Sequence, residues 1–371
     1  MDGTKPFLSE EDEMPEVQSP PVDMDRLNEF VGRVVGEVGA SLNTALVAIG
    51  DELGLYRAMA GAGPITPADL AARTETSERY VREWLNAQAA GDFVAYDAAT
   101  GMFTLPPEQA TVLTVEDSPA FLAGFFQIAA ATVRDAPKIA EAFRTGDGVA
   151  WHQHDQDVFE GCERFFKSGY QASLVSAWIP ALGGVEEKLK AGARVADVGC
   201  GHGASTILMA EAYPKSEFFG FDYHGESIAK ARKRAAEAGV ADRVKFEAAP
   251  ADSYPGSGYD FVTTFDCLHD MGDPVGAARH VCSSLDSDGT WMIVEPFAGD
   301  HLEDNLNPVG RAYYAFSTLL CTPASLSQPV GLALGAQAGE GRLGAVVREG
   351  GFTRFRRATE TPFNLILEAR P

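Results

Sequence analysis

One eleven-residue segment constrains this chain more than any other: VADVGCGHGAS, residues 195 to 205. It places Gly199, Gly201 and Gly203 directly after an apolar run and directly before the helix-like stretch STILMAEAYP. Glycines at such a junction let the backbone turn tightly and approach a ligand, and the helix that follows offers unpaired N–H groups. The flanking residues repeat the same alternation. RVADVG, EFFGFDY, VKFEAA, YDFVTTFD and TWMIVEP are short apolar runs with helical segments between them, which predicts an α/β domain with a mostly parallel, doubly wound sheet. The last stretch, FTRFRRATETPFNLILEAR, holds two strand-like runs joined by Thr-Pro and predicts a terminal antiparallel hairpin, unlike a dinucleotide-binding domain.

Gly199, Gly201 and Ala204 satisfy the loose dinucleotide fingerprint G-x-G-x-x-G/A, so the loop alone does not choose its ligand. The surrounding acids do. Asp222 ends the second strand about twenty residues on, where a carboxylate can accept from ribose hydroxyls. Asp197 stands on the first strand directly before the loop; there it would repel a pyrophosphate and attract an ammonium group. Asp252, after the third strand, could accept from an adenine amino group. Three carboxylates around one crevice suit a cationic cofactor such as S-adenosylmethionine, with S-adenosylhomocysteine as its product, and argue against NAD.

Upstream, residues 1 to 25 are acidic and low in apolar content, which predicts a disordered tail. From Arg26 to Ala60 the pattern turns helical, with Leu42, Leu46, Ile49, Leu53 and Tyr56 on one apolar face. Two short helices follow, capped by Thr66 and Ser77, with Pro67 at the first helical position. VAYDAATGMFTL then alternates around a turn and predicts a hairpin. Helices followed by a hairpin make residues 26 to 112 a mostly α, winged-helix domain suited to dimerisation. Residues 113 to 185 read as a helical linker rich in aromatics: Phe121, Phe125, Phe126, Trp151, Phe159, Phe165, Phe166, Tyr170 and Trp178. Most of these are expected in the core, with the segment as a whole helping to wall a pocket.

With the glycine loop and its acids in place, residues 186 to 371 resemble class I S-adenosylmethionine-dependent methyltransferases, which implies a Rossmann-like sheet of seven strands. The whole layout is similar to an actinobacterial group of winged-helix regulators and methyltransferases. The resemblance implies cofactor contacts from Asp197, Gly199, Cys200, Gly201, Asp222, Tyr223, Ala251, Asp252, Phe265 and Asp266. The tract LHDMGD after the fourth strand also resembles the His-Asp motif of plant-type small-molecule O-methyltransferases, with Met271 in place of tryptophan and Asp266 in place of a nearby lysine. That likeness makes His269 a general base and Glu295, at the end of the fifth strand, its orienting acid; histidine titrates near neutral pH, as such a base requires. An insertion from about Ala298 to Gly341 is placed to act as a substrate lid, with Tyr313, Tyr314 and Phe316 as candidate lining residues and Tyr170 near the cofactor's methionine end.

Composition separates the functional classes. The 371 residues carry a formal charge of −23, which repels phosphate backbones and anionic lipid alike. Residues 40 to 112 hold four arginines against nine carboxylates, and the would-be recognition helix SERYVREWLNAQAAG has two of each, where a DNA reader presents a basic face. An enzyme acting on a small-molecule acceptor is therefore favoured over a regulator that senses S-adenosylmethionine, with no nucleic acid or membrane as partner and a homodimer formed through the N-terminal domain. The five cysteines form no C-x-x-C pair, the WHQHD tract offers no complete ligand set, and so neither disulfide nor metal is expected. The most apolar stretch, Phe121 to Val133, is too short to cross a bilayer, and the acidic start is unlike a signal peptide; a cytoplasmic protein is expected. The sequence leaves open whether the methyl group goes to oxygen, nitrogen, sulfur or carbon.

Overall fold

The computed structural model describes residues 22 to 371, so most of the acidic tail lies outside the described residues. The chain divides at Thr114 and Val115 into two compact units.

The first unit begins with the long helix α1 (Met24–Glu52), started by Asp23, whose carboxylate accepts from the N–H groups of Asp25 and Arg26. Then come α2 (Leu55–Met59), α3 (Pro67–Thr74), α4 (Glu78–Ala90), the hairpin strands β1 (Ala95–Asp97) and β2 (Met102–Thr104), and α5 (Pro107–Thr114). β1 and β2 pair antiparallel, and Thr66 caps α3 by accepting from Asp69 N–H. Ser77 occupies the cap position of α4 but makes no capping bond, contrary to expectation. The face expected on α1 also divides differently: Tyr56 is buried, while Leu42, Ile49 and Leu53 are exposed beside Phe30, Val34 and Val38.

The second unit takes in the expected linker except Leu113 and Thr114, which end α5 of the first unit. Its helices α6 (Ala123–Arg134), α7 (Ala136–Thr145), α8 (Gln156–Ser173) and α9 (Val185–Ala191) lead into the sheet. The sheet region runs β3 (Arg194–Val198), α10 (Ala204–Ala212), β4 (Glu217–Asp222), α11 (Gly225–Glu237), β5 (Val244–Ala248), β6 (Tyr259–Phe265), α12 (Pro274–Ser284) and β7 (Leu285–Pro296). Three helices follow, α13 (Pro308–Phe316), α14 (Thr322–Leu326) and α15 (Gly339–Glu349), and then β8 (Arg354–Glu360) and β9 (Asn364–Arg370).

Seven strands form one sheet in the order β5-β4-β3-β6-β7-β9-β8, with β5 to β7 parallel and β9 antiparallel to both of its neighbours. Alternate residues of each strand point to opposite faces, so the sheet divides the core in two. Val195, Phe261, Met292 and Val294 pack with Met209 and Ile228 of α10 and α11. Ala196, Val262, Trp291 and Ile293 pack with Val281, Leu343 and Val347 of α12 and α15. This double cover is why the central strands read as continuous apolar runs.

Candidate active site

The order reversal at β3 and β6 places a crevice at the C-terminal ends of the parallel strands, where ligands bind in doubly wound sheets. A cavity of about 620 Å³ opens there, lined entirely by residues of the second unit. The glycine loop forms part of its wall. Gly203 has φ +80° and stands where a Cβ would come within 2.6 Å of the Phe246 ring, so both backbone and packing exclude a side chain. Asp222, at the tip of β4, lines the cavity and braces the loop: its carboxylate accepts from Gly201 N–H at 2.9 Å and His224 N–H at 2.8 Å. Burial pushes the Asp222 carboxyl above the usual range against the pull of those two bonds.

Nine of the ten residues expected to contact a cofactor line this cavity: Gly199, Cys200, Gly201, Asp222, Tyr223, Ala251, Asp252, Phe265 and Asp266. Asp197 does not. It is fully buried under the loop, accepting from Ser205 at 2.8 Å, Thr206 at 2.5 Å and Thr263 at 2.9 Å. Those hydroxyls tie β3 to α10 and β6, so Asp197 shapes the loop from beneath and presents no oxygen to the cavity. Asp266 has φ +50° and is held from both sides, by Tyr170 OH at 3.1 Å and the Asn364 amide at 2.9 Å. Burial, then the nearby Glu295 carboxylate, raise its carboxyl well above the usual range.

His269 also lines the cavity, in the single turn that follows β6. Its Nδ1 lies 2.6 Å from Glu295 Oε2, and the other Glu295 oxygen accepts from Leu268 N–H at 2.9 Å. Burial alone would push the imidazole down; the Glu295 carboxylate and the neighbouring Cys321 outweigh it and hold His269 well above its ordinary value. Glu295 itself is shut behind His269 and does not reach the cavity. With Nδ1 committed to Glu295, the ring's other hydrogen bond goes to the Cys321 thiol, which lines the same cavity.

Sequence reasoning missed several neighbours. Asp270 lines the cavity and accepts from the Trp151 indole at 2.6 Å; burial raises its carboxyl to about 6, against the opposing pull of His269 and Trp151. Trp151 lies 119 residues upstream, so no local pattern could announce the pair. Six aromatics of the expected linker, Phe125, Trp151, Phe159, Phe165, Phe166 and Tyr170, line the cavity and are not simply core. From the insertion, Tyr313 and Phe316 line it and Tyr314 does not. In the WHQHD tract, His154 is turned inward onto Asp135 at 2.9 Å. Among the described residues no group of three or more His, Cys, Asp or Glu could hold a metal ion, and no helix is long and apolar enough to cross a membrane.

Residues 189–327 match the family model described as a methyltransferase domain, and residues 41–115 match the Rv2258c-like winged HTH domain. The chain joins a winged helix–turn–helix domain to a methyltransferase domain. Over 139 residues it is 39% identical to 27-O-demethylrifamycin SV methyltransferase of Amycolatopsis mediterranei, an alignment covering 35% of this chain and 51% of that protein. The chain thus spans about half the length of that curated relative. Among solved structures, the mitomycin 7-O-methyltransferase MmcR superposes with a TM-score of 0.69 at 18% identity, covering 94% of this chain and all of that one. Human N-acetylserotonin methyltransferase in complex with SAM gives 0.67 at 17%, covering 95% and 99%. At those identities the likeness is one of fold. The methyltransferase domain model ends at residue 327, so α15 and the β8–β9 hairpin that completes the sheet lie beyond it.

Proposed function

We propose that this protein transfers a methyl group from S-adenosylmethionine to a hydroxyl of a small molecule, with His269 as general base and Glu295 as its positioning residue. The observation that carries the reading is one cavity lined both by the glycine loop and by His269, whose ring is paired behind the wall with the buried Glu295 carboxylate. The cavity's donor set fits the cofactor. Asp222, Asp252 and Asp266 line it with no lysine or arginine among the lining residues, an environment that attracts a cation and repels a pyrophosphate. When bound, the cofactor supplies an already electrophilic methyl group, so the protein's tasks are alignment, exclusion of water and removal of a proton.

The residues divide these tasks. Gly199, Gly201 and Asp222 face the nucleoside end. Phe125, Trp151, Phe159, Phe166 and Phe316 make an apolar chamber for a ring-bearing acceptor and keep water out. Glu295 fixes the His269 ring and its tautomer, and Nε2, beside the Cys321 thiol, would take the hydroxyl proton as the methyl group passes from the cofactor's sulfur to that oxygen; the Glu295 carboxylate would then balance the imidazolium.

The apolar stripe Phe30, Val34, Val38 and Leu42 on α1 supports a homodimer through the first unit, since a second copy is the commonest partner for such a face. Five free cysteines support a reducing, cytoplasmic setting. The test is calorimetry against S-adenosylmethionine, S-adenosylhomocysteine and NAD, followed by mass spectrometry of a phenol and alcohol panel for a methyl gain. Binding of NAD in preference to S-adenosylhomocysteine would refute the reading.

A further inference from the structure

The turn that carries His269 is held from two sides. On the β7 side, Glu295 takes both the Leu268 N–H and the imidazole Nδ1. On the other side the turn is too short to satisfy its own carbonyls, since α12 does not begin until Pro274. Those carbonyls are met instead by one segment, α14 and the loop after it. Gly335 N–H donates to the His269 carbonyl at 3.2 Å, and Leu332 N–H to that of Gly272 at 2.9 Å. Between them, Gln328 Nε2 donates to the Asp270 carbonyl at 3.0 Å and Ser325 Oγ to that of Met271 at 2.7 Å. Every carbonyl from His269 to Gly272 ends on this strap.

Gln328 is the member that works in both directions. Its Oε1 accepts from Gly272 N–H at 3.1 Å, while Nε2 donates to the carbonyls of Asp270 and Ala324, each at 3.0 Å. Turning the amide over would set an oxygen against two carbonyls, so the network fixes its orientation. The approach is close: a Cβ on Gly272 would lie 2.5 Å from both Gln328 Cβ and Pro329 O. Gln328, Pro329 and Val330 also line the cavity, but with both amide hydrogens used inward Gln328 has no donor left for a ligand.

The loop is strained while it makes these bonds. Val330 has φ +72° and Ala333 φ +48°, left-handed conformations that a β-branched residue in particular avoids. Val330 is 72% exposed, so burial of its side chain does not offset the strain. Such strain persists only where the surroundings over-determine the backbone, and here the surroundings are the His269 turn.

We propose that Gln328 is a positioning residue for His269, holding its turn so that the imidazole stays on Glu295 while lining the cavity. Its bearing on catalysis rests on the reading of His269 as the base. The turn belongs to neither β6 nor α12, so loss of the strap's bonds lets the ring drift from the carboxylate without unfolding the sheet. A small displacement of a catalytic group is enough to slow a reaction severely.

The test titrates the full chain, labelled with 15N-histidine, by NMR, and uses His269→Ala to identify the His269 signals. His269 faces Glu295, Asp266, Asp270 and Cys321, and Glu295 is the strongest of the groups that raise it. Gln328→Met keeps the length and deletes the bonds, so the hold of Glu295 loosens. The His269 midpoint should then fall toward the ordinary 6.5, by about 0.5 pH or more. Ser325→Ala should act in the same direction and serves as the second variant if Gln328→Met does not fold. Leu326→Ala, also on α14 but outside the side-chain bonds to the turn, should leave the midpoint in place. With a hydroxyl acceptor in hand, Gln328→Met should lower kcat about tenfold, with the acceptor KM and S-adenosylhomocysteine affinity within about threefold. A midpoint unmoved in Gln328→Met and Ser325→Ala, or moved equally in Leu326→Ala, overturns the proposal. A loss confined to KM overturns it too, since Gln328 would then be an acceptor contact. A fallen midpoint beside wild-type turnover by His269→Ala refutes the base reading alone and leaves the placement of the ring by Gln328 standing.

Discussion

His269 is buried at 4% exposure beside a carboxylate at 1%, so its proton is controlled by Glu295 more than by solvent. His269→Ala should cut turnover by about a hundredfold or more and leave S-adenosylhomocysteine affinity within about twofold, measured by single-turnover kinetics and calorimetry. A base acts only when deprotonated. Because its folded value lies well above the ordinary 6.5, the acidic limb of the rate profile should sit above pH 6.5, with activity lost as pH falls through it. Glu295→Gln removes the largest raising influence, so that limb should move to lower pH while the plateau drops. A limb that stays in place would dissociate Glu295 from the base. Asp222 holds the loop through Gly201 and His224 and, in the proposed reading, accepts from the ribose, so Asp222→Ala should weaken cofactor binding by about 2–4 kcal/mol in calorimetry, through lost charge-assisted bonds that partly overlap.

At the scale of elements, the glycine loop is the joint on which the site turns. Gly203→Ala adds a left-handed alanine, costing about 1–3 kcal/mol, and crowds Phe246, costing about as much again. Thermal unfolding should show a lower Tm, and Ala231→Gly, which removes the other close neighbour at 3.1 Å, should not restore it. The central strands β3, β6 and β7 were legible in the sequence because their apolar runs are buried on both faces, whereas β5 and β8, at the sheet edges, are partly or largely exposed. The loop was legible because glycines announce their backbone. Glu295 was legible because it ends the strand next to the turn that carries His269. Asp197 misled because a carboxylate on a strand gives no hint of which face it takes; Ser205, Thr206 and Thr263 claim it from three elements. The segment holding α6 and α8 was legible as part of a pocket wall, but which of its aromatics line the cavity was not, since helical spacing is the same for core and wall. Glu163 and Trp151 act on partners far along the chain, His202 and Asp270, and no pattern within either segment foretells that.

For the whole molecule, the stripe on α1 predicts a dimer by sedimentation velocity, and Val38→Glu with Leu42→Glu should shift it to monomer. The acid excess of residues 40 to 112 predicts no sequence-selective gel shift at physiological salt. The sheet order carries a consequence of another kind. β9 lies between β7 and β8, pairing Glu295 with Leu365 on one side and Glu360 with Leu365 on the other, and Asn364 at its start holds Asp266. Strands β3 to β7 can pair as they leave the ribosome, but the gap between β7 and β8 stays open until residues 364 to 370 have emerged. The bond from Asn364 to Asp266 therefore forms only after β9 has been made, and a messenger cut short before Asn364 codes for a protein with an exposed edge on β7 and an Asp266 held only by Tyr170.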